Sequence, residues 1–259
     1  MTGAIHENAD HGPLGLPEGI TACLFDMDGV ITDTAGMHAA AWKEMFDAFL
    51  ARWTARTGVA GPPFDIRVDY DDFVDGRPRE DGTRSFLASR GIHLPEGDPS
   101  DPPDAETVWG LSNRKNEIIQ SRIARDGVHV YASSIRYVET VRDRGIRRAV
   151  VTSSANAHRI LSAAHITHLF DVVVDGVVIA RAGLRGKPAP DALLEAAQQL
   201  GSAPAAAAVF DDALSGVAAG RAGGFRMVVG VDRSGQASAL REHGADLVVS
   251  DLDELLRKP

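Results

Sequence analysis

The chain of 259 residues is long enough for one large α/β domain or for a domain that carries an inserted second one, and 44% of its residues are hydrophobic. Its net charge of −9 argues against general binding to nucleic acids or anionic membranes, because both depend on clustered lysine and arginine. The single cysteine, Cys23, excludes an intrachain disulfide bond and a multi-cysteine metal site.

The first 18 residues form a polar segment that we expect to be flexible. This segment has neither the basic start nor the apolar stretch of a signal peptide. No apolar run further along the chain is long enough to span a bilayer. The sequence therefore predicts a cytoplasmic protein that binds neither membranes nor nucleic acids.

Short runs rich in β-branched residues predict the strands of one sheet. These runs are almost continuously apolar, which is typical of parallel strands covered by helices on both faces. They comprise residues 20–28, 147–154, 170–176, 206–212, 225–231 and 245–251. Helical spacing lies between most of them, at residues 134–144, 156–164, 190–200, 213–222 and 236–243. This alternation predicts a doubly wound parallel α/β sheet.

Residues 34–126 differ from the rest of the chain because they carry no comparable strand pattern. Helical spacing recurs in them at residues 38–56, 83–89 and 105–123. A stretch dense in proline and aspartate, residues 94–106, lies between two of these helical patterns; we call it the Pro/Asp-rich loop. We interpret residues 34–126 as a mostly helical inserted domain, and residues 19–33 and 127–259 as the core domain.

Polar side chains follow several predicted strands at the point where each strand ends. In open α/β sheets, ligands bind at the carboxyl ends of the strands. The side chains expected at this edge of the sheet are Asp26, Asp28, Thr152, Lys187, Asp211 and Asp212. Taken singly, such groups more often cap helices or face solvent. Their occurrence together at successive strand ends favours a catalytic site.

These residue types are suited to phosphoryl transfer. The carboxylate of Asp26 can attack phosphorus and form an aspartyl phosphate. Mg²⁺ held by Asp26 and Asp212, with Asp211 as a further candidate ligand, would cancel the repulsion between that carboxylate and the phosphoryl group. The predicted cofactor is therefore Mg²⁺.

The remaining groups at this edge support the same reaction. Lys187 and Thr152 can stabilise the charge that develops on the phosphoryl oxygens. Asp28 can turn away from the metal and act as general acid and base on the substrate oxygen. Gly29, directly after Asp28, lets the backbone turn without a Cβ clash.

The segments DMDGVITDT, VTSSAN, GKPAPD and VFDDALSGVAAGRAG closely resemble, in this order, the four motifs of the haloacid dehalogenase superfamily. Within this superfamily, the chain resembles the β-phosphoglucomutase-like branch over nearly all residues after residue 19. The resemblance implies a Rossmann-like core with a helical cap domain inserted after the first motif. It agrees with the inserted domain inferred from the strand and helix patterns.

The resemblance also assigns roles to individual residues. It implies that Asp26 is the nucleophile, that Asp28 is the general acid and base, and that Thr152 and Lys187 bind the transferring phosphoryl group. The Mg²⁺ ligands that it implies are Asp26, the backbone carbonyl of Asp28, Asp211 and Asp212. The residues that it assigns to the substrate or its immediate surroundings are Thr34, His38, Gly76, Arg77, Arg79, Lys115, Ser153, Ser154 and Asn156.

Several of these assignments have alternatives. Arg79 could instead form a surface ion pair with Glu80 or Asp81. Ala155 departs from the motif, since related mutases usually carry a lysine there, and this removes a positive charge from the site of the non-transferring phosphate. Asp211 is one methylene shorter than the glutamate common at its position.

The resemblance implies a mutase that acts on glucose phosphates, and we expect the protein to be a monomer. Phospho-Asp26 would donate its phosphoryl group to β-D-glucose 1-phosphate and give glucose 1,6-bisphosphate, which reorients and returns a phosphoryl group to Asp26, leaving β-D-glucose 6-phosphate. The first alternative is a sugar-phosphate phosphatase, in which water accepts the phosphoryl group; Ala155 favours it and the segment DGRPRED, residues 75–81, disfavours it. A remote alternative is a receiver-like signalling module, which needs neither Asp28 nor the large insertion.

Overall fold

Six parallel strands form one sheet in the computed structural model, which describes residue 12 and residues 14–256. The strand order is β3-β2-β1-β4-β5-β6. The strands are β1 (Ala22–Phe25), β2 (Arg147–Val151), β3 (Val172–Val174), β4 (Ala207–Asp211), β5 (Met227–Val231) and β6 (Leu247–Val249). Each strand lies within one of the six predicted runs, so the predicted doubly wound parallel sheet is confirmed.

Helices cover both faces of the sheet and form the insertion after β1. The described α-helices are α1 (Ala35–Thr57), α2 (Arg79–Ser89), α3 (Val108–Asp126), α4 (Ala132–Asp143), α5 (Ala157–Ala163), α6 (Gly176–Ala182), α7 (Asp191–Gln199), α8 (Leu214–Ala222) and α9 (Ala237–Glu242). A π-helical turn, Tyr70–Val74, lies between α1 and α2. The sequence patterns predict neither this turn nor α6. In the part of the chain that is described, no helix is long and apolar enough to cross a bilayer.

The central strand β1 places the first motif next to two other strand ends. It pairs with β2 on one side and with β4 on the other. All four residues of β1 are buried, and Phe25 stacks on Phe210 of β4 with ring centroids 4.6 Å apart. The ends of β1, β2 and β4 are therefore adjacent, which brings Asp26, Thr152 and Asp211 to one edge of the sheet.

Three helices, α1, α2 and α3, form the inserted part around a cluster of aromatic side chains. The ring centroids of Phe46 and Phe86 are 4.0 Å apart, and those of Phe46 and Phe64 are 5.4 Å apart. The two connections to the core run side by side, because Asp33 donates its backbone N–H to the carbonyl oxygen of His129 at 2.9 Å. The division at residues 34 and 126 stays a prediction.

The N-terminal segment packs on the core where it is described. Of the predicted flexible segment, residues 1–11 and 13 lie outside the described residues. Leu14 and Leu16 are buried, and the Tyr137 hydroxyl donates to the carbonyl oxygen of Leu14 at 3.0 Å. These two leucines extend the apolar core, and the flexibility of the segment stays a prediction.

Candidate active site

A lysine lies between two carboxylates at the edge of the sheet. Lys187 Nζ donates to Asp26 Oδ1 at 2.5 Å and to Asp211 Oδ2 at 2.7 Å, and all three side chains are buried. Burial disfavours the ammonium group, but attraction by Asp211 and Asp26 outweighs this and raises the pKa of Lys187. Lys187 therefore carries a positive charge directly beside the predicted nucleophile.

The carboxylates at this edge outnumber that single lysine. Burial, followed by repulsion from Asp75, Asp26 and Asp211, raises the pKa of Asp212 well above its usual range. Burial likewise raises the pKa of Asp26, although the charge of Lys187 opposes this shift. A further cation at this edge would favour the ionised form of both side chains.

The oxygen atoms here fit a hard cation such as Mg²⁺, with one difference from the predicted ligand set. Asp26, Asp212 and the carbonyl group of Asp28 offer the oxygen ligands that Mg²⁺ prefers. Asp211, however, uses Oδ2 for Lys187 and accepts the backbone N–H of Ala213 on Oδ1 at 3.1 Å. Among the described residues, no three acidic, histidine or cysteine side chains are grouped closely enough to enclose an ion. The four-residue Mg²⁺ site stays a prediction.

Gly29 brings the turn after β1 close to Asp212. Its φ of +90° is a backbone conformation that favours glycine, and a Cβ at this position would overlap the Asp212 carboxylate. The sequence predicts only that Gly29 lets the backbone turn without a Cβ clash. The structure adds a second reason, which is the close approach of Asp212.

Asp28 is held from the side of the insertion rather than by Lys187. The Thr34 hydroxyl group donates to Asp28 Oδ1, and Thr32 Oγ1 lies 2.7 Å from Thr34 Oγ1. His38 Nε2 lies 3.4 Å from the same carboxylate oxygen. Asp26 and Asp28 therefore have different partners, as their different predicted roles require.

His38 and Lys115 form a buried polar pair behind Asp28. His38 Nδ1 lies 2.8 Å from Lys115 Nζ, and that nitrogen lies 4.9 Å from the centre of a Trp42 ring. Burial, followed by the charge of Lys115, lowers the pKa of His38 to about 4, so the imidazole is neutral near pH 7. Burial also lowers the pKa of Lys115 to about 7, while Asp28 opposes that shift.

A cavity of about 490 Å³ lies between the core and the inserted helices. The structure brings most of the predicted site residues to its wall. Those that line it are Asp26, Asp28, His38, Gly76, Arg77, Arg79, Lys115, Thr152, Ser153, Ser154, Asn156 and Asp212. Three further predicted site residues lie behind this wall: Thr34, Lys187 and Asp211. Thr34 donates a hydrogen bond to Asp28, and Lys187 donates hydrogen bonds to Asp26 and Asp211. The predicted roles of these residues stay predictions.

Two serines connect the core to the loop that precedes α2. Ser153 Oγ donates to the carbonyl oxygen of Gly76 at 2.7 Å, and Ser215 Oγ donates to that of Asp75 at 3.1 Å. Gly76 has a φ of +68°, and a Cβ there would overlap the Ser215 hydroxyl group. The hydroxyl group of Ser153, predicted to contact substrate, is thus engaged with the insertion.

Asn156 makes a second connection of this kind, which we call the amide latch, composed of Asn116, Gln120 and Asn156. Asn156 Nδ2 donates to Asn116 Oδ1 at 2.9 Å, and Gln120 Nε2 donates to Asn156 Oδ1 at 3.1 Å. Both partners lie on α3, one turn apart. Asn156 was predicted to lie at the substrate, and here both polar atoms of its side chain are hydrogen-bonded to the insertion.

The two arginines of the segment before α2 differ in their partners. Arg77 Nη2 lies 3.5 Å from the carbonyl oxygen of Asp72. Arg79 forms no salt bridge with a carboxylate in the described ranges, and Asp81 pairs with Arg84 instead. Burial lowers the pKa of Arg79, and the charge of Glu80 opposes this shift. Arg79 lines the cavity.

Some residues of the cavity wall escaped the sequence analysis. Tyr70 and Asp75 line the cavity. Burial, followed by repulsion from Asp211, raises the pKa of Asp75 to about 7. The position of Asp75 directly before Gly76 could have marked it, whereas nothing in the local pattern marked Tyr70. Trp109, Asn116 and Pro99 also line the cavity, and Ala155 places a methyl group there.

The chain is similar to proteins with established names. The family model for haloacid dehalogenase-like hydrolases matches residues 20–224. The β-phosphoglucomutase of Mycobacterium bovis is 55% identical over 246 residues, which cover 94% of each chain. That of Bacillus subtilis is 32% identical over 241 residues, which cover 90% of this chain and 91% of the other.

Solved structures share the fold. A putative β-phosphoglucomutase from Bacteroides vulgatus superposes with a TM-score of 0.68 at 23% sequence identity, over 92% of this chain and 88% of the other. This likeness extends over the core and the inserted helices together. The fold of the chain therefore has a counterpart among solved structures.

Proposed function

Because the chain belongs to the haloacid dehalogenase-like hydrolase family, we propose that it transfers phosphoryl groups through Asp26 and acts as a β-phosphoglucomutase. The proposed reaction interconverts β-D-glucose 1-phosphate and β-D-glucose 6-phosphate through glucose 1,6-bisphosphate. The family-level part, phosphoryl transfer by an enzyme, follows from the family model and from the named relatives.

One observation carries the proposal beyond the family. Asp26 lines the same cavity as Arg79, which forms no salt bridge among the described residues. The amide latch and Ser153 connect the core to the insertion beside this cavity. A mutase must bind a sugar with two phosphoryl groups and keep the aspartyl phosphate from water. A cavity between two bonded parts of the chain, with a nucleophile and a separate cation in its wall, supports both requirements.

The groups around Asp26 support the following reaction. An oxygen of Asp26 attacks phosphorus and forms an aspartyl phosphate, while the bond from phosphorus to the sugar oxygen breaks. Asp28 donates a proton to the departing oxygen and, in the second transfer, removes one from the accepting sugar hydroxyl group. Lys187 and Thr152 hold the phosphoryl oxygens. Mg²⁺ bound by Asp26, Asp212 and the Asp28 carbonyl group would neutralise charge on the transferring group.

The other predicted attributes are part of the same proposal. Mg²⁺ dependence and the identity of the sugar are tested together with the activity. The monomeric state and cytoplasmic location predicted from the sequence also stay predictions. Sedimentation at micromolar protein concentration tests the first, and fractionation of the source cells tests the second.

A second candidate function is a sugar-phosphate phosphatase, because Ala155 contributes no charge to the cavity wall where related mutases usually carry a lysine. If the second phosphate of the sugar bound more weakly, water would more often accept the phosphoryl group from the aspartyl phosphate. The receiver-like module has no such support, since the family model matches an enzyme family over most of the chain.

The deciding experiment identifies the product. The protein is incubated with β-glucose 1-phosphate, Mg²⁺ and a trace of glucose 1,6-bisphosphate, and glucose 6-phosphate and inorganic phosphate are both quantified. We expect glucose 6-phosphate to be the main product, with no turnover of the α-anomer and none in Asp26→Asn. Asp143→Asn, an exposed position, is the matched control and should retain activity. Inorganic phosphate as the main product would refute the mutase and support the phosphatase.

A further inference from the structure

Asn113, in the middle of α3, links the Pro/Asp-rich loop to Arg79. Its Nδ2 donates to the carbonyl oxygens of Pro99 and Asp101, at 3.0 and 2.9 Å. Both amide hydrogens are thereby used, and Asn113 Oδ1 lies 3.5 Å from Arg79 Nη2. The reversed amide would direct its oxygen at two carbonyl groups and its hydrogens at a cation, so the observed orientation is strongly preferred.

The loop that binds Asn113 is itself well fixed by hydrogen bonds. The Asp101 carboxylate accepts the Thr107 hydroxyl group at 2.6 Å and the backbone N–H of Asp98 at 3.2 Å. Gly97 has a φ of +77°, and a Cβ there would overlap Asp101 and Thr107. Where the loop joins α3, the N–H of Val108 donates to the carbonyl oxygen of Pro95 at 3.0 Å. A loop closed in this way can hold one orientation of Asn113.

The loop also keeps a carboxylate away from Arg79. Glu96 forms an ion pair with Arg84 Nη2 at 2.6 Å, and Arg84 Nη1 binds Asp81 at 2.5 Å. Asp81 is thereby paired two residues after Arg79. The guanidinium group of Arg79 then has only the uncharged Asn113 as a side-chain hydrogen-bond partner among the described residues, and its buried Nε has none.

Arg79 is thus a partly buried cation at a cavity wall that forms no salt bridge among the described residues; burial lowers its pKa, and the charge of Glu80 opposes this shift. Such a group is stabilised by an anionic ligand, and a planar guanidinium group suits phosphate oxygens. Pro99 of the loop lines the same cavity. The Pro/Asp-rich loop is therefore hydrogen-bonded to Asn113, and Asn113 in turn contacts the guanidinium group of Arg79.

We propose that the Pro/Asp-rich loop and Asn113 form a positioning element that holds Arg79 ready for the non-transferring phosphate of the sugar phosphate. This inference rests on the proposed function only in naming the ligand. Asn113 does not itself contact the reacting atoms. It acts through Arg79.

The test compares Asn113→Ala, Arg79→Ala and the double variant with the wild-type protein. Turnover is measured as glucose 6-phosphate plus inorganic phosphate, so the result does not depend on which product forms. We expect Asn113→Ala to raise KM for β-glucose 1-phosphate about tenfold with kcat changed less than about twofold, since one hydrogen bond to a charged group is lost. The double variant should have the KM of Arg79→Ala alone, because Asn113 acts through that side chain.

Two controls separate positioning from damage to the fold. Phosphorylation of Asp26 by acetyl phosphate, which has no second phosphate group, should be unchanged in Asn113→Ala. Ser100→Ala removes a bond that lies within the loop and spares Asn113, so its KM should match that of the wild type. Isothermal titration with glucose 6-phosphate gives the affinity of each variant without turnover.

The proposal is overturned if Asn113→Ala leaves KM and glucose 6-phosphate affinity at wild-type values. It is equally overturned if the losses of the two single variants add in the double variant, or if the acetyl phosphate reaction falls in parallel. A wild-type protein that forms neither product would refute the proposed function instead. In that case the titration alone decides the role of Asn113.

Discussion

Removing one amide group of the amide latch should speed the hydrolysis of the phosphoenzyme. In Asn116→Ala, Asn156 loses the acceptor at 2.9 Å from its Nδ2 and keeps only the bond from Gln120. A buried side-chain hydrogen bond contributes about 1 kcal/mol net, which corresponds to about fivefold in an equilibrium. We therefore expect the core and the insertion to separate about fivefold more often.

Water reaches an aspartyl phosphate more easily when the cavity is open. Release of inorganic phosphate from phosphorylated protein, without sugar, should therefore be about fivefold faster in Asn116→Ala than in wild type. The measurement is a time course of phosphate release after labelling with acetyl phosphate. Gln199→Ala, an exposed amide bonded only to Glu195, is the matched control. An unchanged release rate in Asn116→Ala would refute the link between the latch and water exclusion.

Other substitutions test the electrostatics of the site. Lys187→Met leaves the buried carboxylates without their lysine. We therefore expect the free energy of unfolding, measured by chemical denaturation, to fall by about 3 kcal/mol, and no phosphoenzyme to form. Wild-type stability would contradict this. Gly29→Ala should fold but weaken Mg²⁺-dependent turnover at least about tenfold, because its Cβ displaces Asp212; full activity at low Mg²⁺ would contradict this. Folding lowers the pKa of Lys115 from 10.5 to about 7. Between these two pH values the unfolded state therefore binds more protons than the folded state. The free energy of unfolding should rise with pH in this range. Denaturation at pH 7 and pH 9 should show a smaller rise in Lys115→Met than in wild type, and an equal rise would refute the shift.

The strands and the strand-end residues could be predicted because a parallel sheet follows simple rules. Continuously apolar runs mark buried parallel strands, and the ends of such strands meet at one edge. Asp26, Thr152 and Asp211 were therefore predictable from their positions alone. Helix α6 was missed because its sequence, GVVIARA, follows an apolar strand directly and shows no change of pattern.

The other wall of the cavity could not be predicted in this way. It depends on how the inserted helices pack against the core, which no local periodicity records. Tyr70 lies outside every predicted helical pattern, whereas Asn113 and Asn116 lie within one. Asn113 and Asn116 acquire their contacts with Arg79 and Asn156 only when distant parts of the chain pack together. For the same reason, the engagement of Ser153 with a backbone carbonyl group of the insertion could not be foreseen.

The central claim is that a phosphoryl group on Asp26 passes to a phosphorylated sugar rather than to water. The most direct measurement is a single turnover of protein labelled with radioactive phosphate, mixed with excess β-glucose 1-phosphate and Mg²⁺. We predict that the label appears first in glucose 1,6-bisphosphate and only slowly in inorganic phosphate. Label released directly as inorganic phosphate, or absent from Asp26 at the start, would contradict the account.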